Sequence, residues 1–316
     1  MNYDIIGDIH GQADKLHALL KQLGYQVDVA SEGYKKAGHT AVFVGDFIDR
    51  GEQQWESVMT VRRMVDTGSA HAIMGNHEFN AIAWHTPDPA CPEEFLRPHN
   101  GCVGKKNRKQ HVKFLAEVEN TSRHKEAIDW FKTLPLWLDL PEFRVVHACW
   151  HNDYMDEIRA KDRLAGDLRL TDELMVAASR SETMEFRVVE GLLKGLEIPL
   201  PDGVVFVDKD GVPRDSARIC WWDDESTTYR DLALAPDAKL PLDPVPEKYR
   251  APYDNAKPVF FGHYWMTGTP QRQTPTIACV DYSAGKPGGP LVAYRWGGMG
   301  QDIQDEHFVS VGGAPR

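Results

Sequence analysis

Five strand-like segments of this chain each run directly into a residue able to bind a metal. Residues 3–6 lead into Gly7-Asp8-Ile9-His10-Gly11. The apolar run Ala41-Val42-Phe43-Val44 leads into Gly45-Asp46-Phe47-Ile48-Asp49-Arg50-Gly51. His71-Ala72-Ile73-Met74 leads into Gly75-Asn76-His77-Glu78, residues 144–146 into His147, and residues 259–261 into Gly262-His263. In open α/β sheets, ligands bind beyond the carboxyl ends of the strands. The pattern therefore predicts that Asp8, His10, Asp46, Asn76, His147 and His263 meet at one sheet edge. The flanking glycines suit tight turns where the backbone passes close to a ligand. Between the first strands, Leu16, Leu19, Leu20 and Leu23 fall on one helical face with Gly24 as a stop. Trp55, Val58, Met59 and Val65 mark a second helix closed by Gly68. Strand, helix, strand, helix, strand in this order implies a parallel sheet with crossover helices. Two more strands are predicted, at 276–280 and 291–296.

Asp, Asn and His form an oxygen and nitrogen donor set without thiolate, which suits manganese first, with iron or zinc as alternatives. Two such ions about 3.5–4 Å apart can activate water and clamp phosphate oxygens. The formal net charge of -11 disfavours general nucleic-acid binding, and it makes bound cations the natural way to build a local anion site. Five cysteines, widely spaced and without a CxxC pair, read as reduced thiols in a cytoplasmic protein. No N-terminal run reads as a secretion signal, and no segment is long and apolar enough to span a membrane.

The Gly7–Gly11, Gly45–Gly51 and Gly75–Glu78 segments resemble the signature motifs of the calcineurin-like metallophosphoesterases. More narrowly, they resemble the branch of serine/threonine phosphoprotein phosphatases and symmetrical bis(5'-nucleosyl)-tetraphosphatases. The resemblance is specific over residues 3–80 and continues at Val145-Val146-His147-Ala148 and Phe261-Gly262-His263. It implies an α/β fold with a central β-sandwich flanked by helices, in α/β/β/α layers. It also implies the roles of the site residues. Asp8 and His10 bind the first metal, Asp46 bridges both, and Asn76, His147 and His263 bind the second. Arg50 grips the substrate phosphate, which Asn76 also touches. His77 protonates the leaving oxygen, and Asp49 orients the His77 ring. Arg218, just before Ile219-Cys220-Trp221-Trp222, is taken as a second phosphate-binding arginine. Many relatives carry a further histidine two places after the last one; Trp265 stands there in this chain. Ala148-Cys149-Trp150 replaces the double glycine of the eukaryotic protein phosphatases.

The expected activity is phosphomonoester hydrolysis by a metal-bound hydroxide, on a phosphorylated protein or a small phosphorylated substrate. Hydrolysis of a dinucleoside polyphosphate or another nucleotide is the alternative, and a non-catalytic metal-binding module is the rival from another class. The chain reads as one domain over 1–316. An insertion at 152–217 lies near the active-site edge, and a loosely anchored tail runs over 302–316. The basic run Lys105, Lys106, Arg108, Lys109 and Lys113 reads as a solvated helix start. His85, His99, His111 and His151 read as ordinary surface or loop histidines, and Asp281 as a hydrogen-bonded strand-end aspartate.

Overall fold

The structure is a computed structural model that describes residues 2–161, 164–165, 168–207, 211–234, 239–298 and 302–313. The first half follows the alternation seen in the sequence. β1 (Asn2–Ile6), α1 (Ala13–Leu23), β2 (His39–Phe43), α2 (Gln54–Asp66) and β3 (Ala70–Ala72) form two parallel crossover units. Gly24 ends α1 in a left-handed conformation (φ 94°), with its N–H on the last carbonyls of the helix. α3 (Asn76–His85) follows β3 directly, then α4 (Gly101–Gln110), α5 (Val112–Val118) and α6 (Ser122–Phe131).

The strands form two main sheets. The second contains β4 (Trp137–Asp139), β5 (Arg144–Val146), β6 (Val259–Phe261) and β7 (Ile277–Cys279), in the order β7-β6-β5-β4. β5, β6 and β7 are parallel, and β4 is antiparallel to them. The chain then returns to the first sheet with β8 (Leu291–Trp296), antiparallel to β1.

Side-chain alternation explains why the sheets stack. Ile5, Val42 and Tyr294 are register partners on one sheet, and Val145, Phe260 and Ala278 are partners on the other. All six are buried in one apolar cluster between the sheets. Their neighbours Ile6, Phe43, Val146, Phe261 and Cys279 point the other way, into the apolar layer shared with the helices. Both faces of each central strand are thus buried, which is why these strands read as continuous apolar runs.

Within 152–217 the chain builds α7 (Asn152–Ala160), α8 (Asp172–Ala177) and α9 (Met184–Lys194). A strand pair, Glu197–Pro199 with Ser216–Arg218, follows. Leu192 and Leu193 of α9 are buried in the apolar layer that also holds Phe261 and Val146. The C-terminal stretch differs from its expectation as a loose tail. β9 (Phe308–Val311) pairs along β8 as the edge strand, and Ile303 is buried between the sheets. Its alternation is short and only half-apolar, so the ladder to β8, rather than local composition, holds it in place. The basic residues of α4 are exposed; Arg108 pairs with Glu119, and Lys113, just beyond on α5, with Glu52.

Candidate metal centre

The five strand ends meet. Among the described residues, two trios bring one ligand atom each to within 4.8 Å of one another: His10, Asp46 and His77, and Asp46, His147 and His263. Asp46 belongs to both. Its backbone is fixed by Glu78, whose buried carboxylate accepts the N–H groups of Asp46 (2.8 Å), Phe47 (2.8 Å) and Gly75 (3.0 Å). Glu78 thus ties the turn after β2 to the turn after β3. The sequence reading gave it no role, although its place in the first turn of α3 is a capping position.

Second partners orient the rings. His147 Nδ1–H donates to the Val44 carbonyl at 2.7 Å, and His10 Nδ1–H to the Ile48 carbonyl at 3.0 Å. This turns each Nε2 inward, where it can serve as a metal ligand once unprotonated. His147 Nε2 bonds Asn76 Oδ1 at 3.1 Å and lies 3.4 Å from Asp46 Oδ1, and Asp46 raises the His147 pKa against the effect of burial. A metal ion could take the place of the proton among these converging groups. His10 Nε2 and Asp8 Oδ1 are buried without hydrogen-bond partners. The first trio contains His77 where the sequence reading has Asp8. The unpartnered Asp8 oxygen keeps it a ligand candidate, while Asp8 Oδ2 accepts the His263 N–H at 3.0 Å. Gly262 makes room for it, because a Cβ there would lie 2.1 Å from Asp8 Oδ1.

The electrostatics point the same way. Burial, with Asp281 and Asp46 nearby, pushes the Asp8 carboxyl well above its usual range. Asp46, despite burial, is held well below it by His147 and His77. Burial and His77 bring His10 down to about 3, and burial with His147 and Arg218 lowers His263. Both are therefore neutral imidazoles, the form that binds metal. Buried carboxylates facing imidazoles, of which His10 and His263 are held neutral, fit divalent cations.

Strain marks the same loops. His10, Asp46, Asp49, Arg50, His263 and Trp265 all adopt positive φ between 50° and 72°. Non-glycine residues rarely hold this conformation unless the surroundings enforce it.

The remaining predicted residues line the same place. His77 Nδ1–H donates to Asp49 Oδ2 at 2.5 Å, so its Nε2 faces the centre, 3.8 Å from Asp46 Oδ2. Burial works against the charged ring, but Asp46 and the Asp49 bond raise the His77 pKa overall. Arg218 ends the strand Ser216–Arg218 and places NH1 3.4 Å from His263 Nε2. The Arg50 guanidinium lies 3.7 Å from the Trp265 ring centre, and Lys286 Nζ 4.4 Å from it. Asp281 accepts the N–H groups of Trp265 (2.7 Å) and Ser283 (2.8 Å), as a strand-end aspartate should.

One residue set aside in the sequence belongs here. His111 is fully buried, and its Nδ1–H donates to Asp49 Oδ2 at 2.8 Å. It lies 62 positions from Asp49 and in no motif, so no local signal marks it. Asp49 is brought down to about 2: burial opposes this, and His111 and His77 overcome it.

Residues 1–263 match the family model for calcineurin-like phosphoesterases. Over 77 residues the chain is 40% identical to the asymmetrical bis(5'-nucleosyl)-tetraphosphatase PrpE of Halalkalibacterium halodurans, covering 24% of this chain and 31% of that protein. Matches to four such asymmetrical enzymes cover between 30% and 60% of their lengths. A symmetrical bis(5'-nucleosyl)-tetraphosphatase of Vibrio vulnificus is 26% identical over 271 residues, 83% of this chain and 84% of that protein. In fold, the chain is similar to a serine/threonine protein phosphatase from Saccharomyces cerevisiae (TM-score 0.51, 15% identity, all of this chain and 81% of that one).

Proposed function

The chain belongs to the calcineurin-like phosphoesterase family and is a hydrolase of phosphate ester or anhydride bonds, and we propose that its substrate is a dinucleoside polyphosphate. The observation that carries this reading is the Arg50–Trp265–Lys286 arrangement beside the metal centre. A pocket of about 550 Å³ opens there, lined by Gln12, Lys15, Arg50, Gln53 and Lys286 among others. Lys15 is spent on the Ala284 and Gly289 carbonyls, and of the two acids, Glu52 is held by Lys113 while Asp14 remains. Arg50 and Lys286 are then two cations with no carboxylate within ion-pair distance among the described residues. They suit a substrate with phosphates beyond the one attacked. The names of the sequence relatives agree with that choice, whereas the likeness to a protein phosphatase is one of fold. A phosphoserine or phosphothreonine protein is the second reading.

Asp8, His10, Asp46, Asn76, His147 and His263 would hold two divalent ions, manganese first, with iron or zinc as alternatives. When bound, such ions activate water and neutralise phosphate charge. Arg50 and Arg218 would fix the non-bridging oxygens in line for attack. His77, protonated at Nε2 and oriented by Asp49, gives its proton to the departing oxygen. The insertion at 152–217 shapes the substrate mouth, and its closing strand pair carries Arg218, just past its end, to His263. Among the described residues no helix is long and apolar enough to cross a membrane, and the five free cysteines suit a cytoplasmic setting.

The test is kcat/KM of the manganese-loaded protein on diadenosine tetraphosphate and on a phosphoserine peptide. At least a tenfold preference for the tetraphosphate is expected, and a preference for the peptide would select the second reading. Lys286→Met should raise KM for the tetraphosphate by about tenfold, the loss of one charge-assisted contact, and leave the peptide unchanged. Equal effects on both substrates would remove Lys286 from the site.

A further inference from the structure

Both side-chain hydrogen bonds to the Asp49 carboxylate fall on one oxygen. Oδ2 accepts His77 Nδ1–H and His111 Nδ1–H, while Oδ1 is buried without a partner. We propose that His111 is a positioning residue of the hydrolytic machinery, sharing Asp49 with His77 so that the carboxylate, and through it the His77 ring, is held in one orientation. The proposal rests on the reading of His77 as the proton donor to the leaving group.

The backbone of Asp49 is fixed, with its N–H on Gln54 Oε1 at 2.6 Å. The carboxylate itself still turns about its Cβ–Cγ bond if His77 is its only side-chain partner, and the two would then drift together. His111 supplies an anchor that does not move with His77, because it comes from the junction of α4 and α5, outside the strand-end loops. Its own ring is backed by aromatic side chains. Trp84 lies 6.4 Å from His111 and stacks on His99 at 3.7 Å, and His99 stacks on Phe95 at 4.0 Å. His111 Nε2 is buried without a partner. A residue needed there only for packing would be apolar, since an unpaired buried nitrogen is costly. The histidine is explained by the bond its other nitrogen makes.

The experiment compares His111→Leu, which removes the donor, with His111→Asn, which keeps an N–H near the Nδ1 position. Each is assayed on an alkyl phosphate, whose leaving oxygen needs a proton, and on p-nitrophenyl phosphate, whose leaving group does not. We expect His111→Leu to lower kcat on the alkyl phosphate by about ten- to a hundredfold at unchanged metal content, with little change on p-nitrophenyl phosphate. His111→Asn should restore most of the loss. Parallel losses on both substrates, or none, would overturn the role. A second measurement holds even if His111→Leu does not fold. In the zinc-loaded protein, two hydrogen-bonded imidazole N–H protons on Asp49 should resonate at low field, and one should survive in His77→Asn. Apart from the His10 and His147 Nδ1–H signals, a single resonance in the unmodified protein would refute the shared carboxylate. If the unmodified protein hydrolyses neither substrate, the functional reading and the role built on it both fall, while the resonances still report whether His111 holds Asp49.

Discussion

Asp46→Asn is expected to lose both metal ions on dialysis and to lower turnover by on the order of 10³-fold, equivalent to about 4 kcal/mol of lost charge stabilisation. Asp46 is the one residue common to both ligand trios. Its Oδ1 also accepts the His77 backbone N–H at 2.9 Å and lies 3.4 Å from His147 Nε2. The amide removes the negative charge shared by the two positions. It also places an NH2 group either against the His77 backbone N–H or facing His10 Nε2 and the protonated His77 Nε2 across the site. One substitution thus weakens both positions, whereas replacing His10 or His263 touches one. Metal per chain after dialysis and kcat on a common substrate decide the matter. An Asp46→Asn protein that kept two ions and normal turnover would remove Asp46 from the bridging role.

The parts of this site that were legible in the sequence share a physical cause. A ligand at the end of a buried strand is announced twice, by the apolar run before it and by the glycine turn around it. Among the candidate ligands, Asp8, Asp46, Asn76 and His263 carry that double mark, and His147 carries only the apolar run. Arg218 is marked only by its place before an aromatic run, and it reaches His263. The division into two sheets was not legible from periodicity. β5, β6 and β7 look like further strands of one parallel sheet, because strands buried on both faces read alike in either arrangement. Only the long-range pairing of β1 with β8 separates them. β9 was missed for a related reason, since an edge strand needs little apolar pattern when a ladder already awaits it. His111 lay furthest from view. It bonds Asp49 across 62 positions from a helix junction, and a lone histidine in a basic stretch resembles a surface residue until the fold buries it.

His77→Asn tests the chemistry apart from the metals. Its expected result is a fall in kcat of about 10²- to 10⁴-fold on substrates with poor leaving oxygens, with metal content unchanged. Metal content should hold because His77 Nδ1 is committed to Asp49, and the Asp46 oxygens common to both trios remain in place. The loss should shrink on p-nitrophenyl phosphate, where the departing oxygen needs little help. The pH profile provides an independent check. Burial lowers the His77 pKa, but Asp46 and the Asp49 bond outweigh it and raise it overall; with metal on Asp46, the Asp49 bond is what keeps the ring basic. A proton donor with a raised pKa is competent below that value and fails as pH climbs through it. The unmodified enzyme should therefore lose kcat on its alkaline side, and the His77→Asn enzyme should lack that limb. Should the variant keep the same alkaline limb, the titrating acid is another group, and His77 would be left as a ligand of the first trio. Loss of one metal ion per chain in the same variant would point to that assignment as well, because His77 Nε2 already stands within reach of the atoms that His10 and Asp46 present.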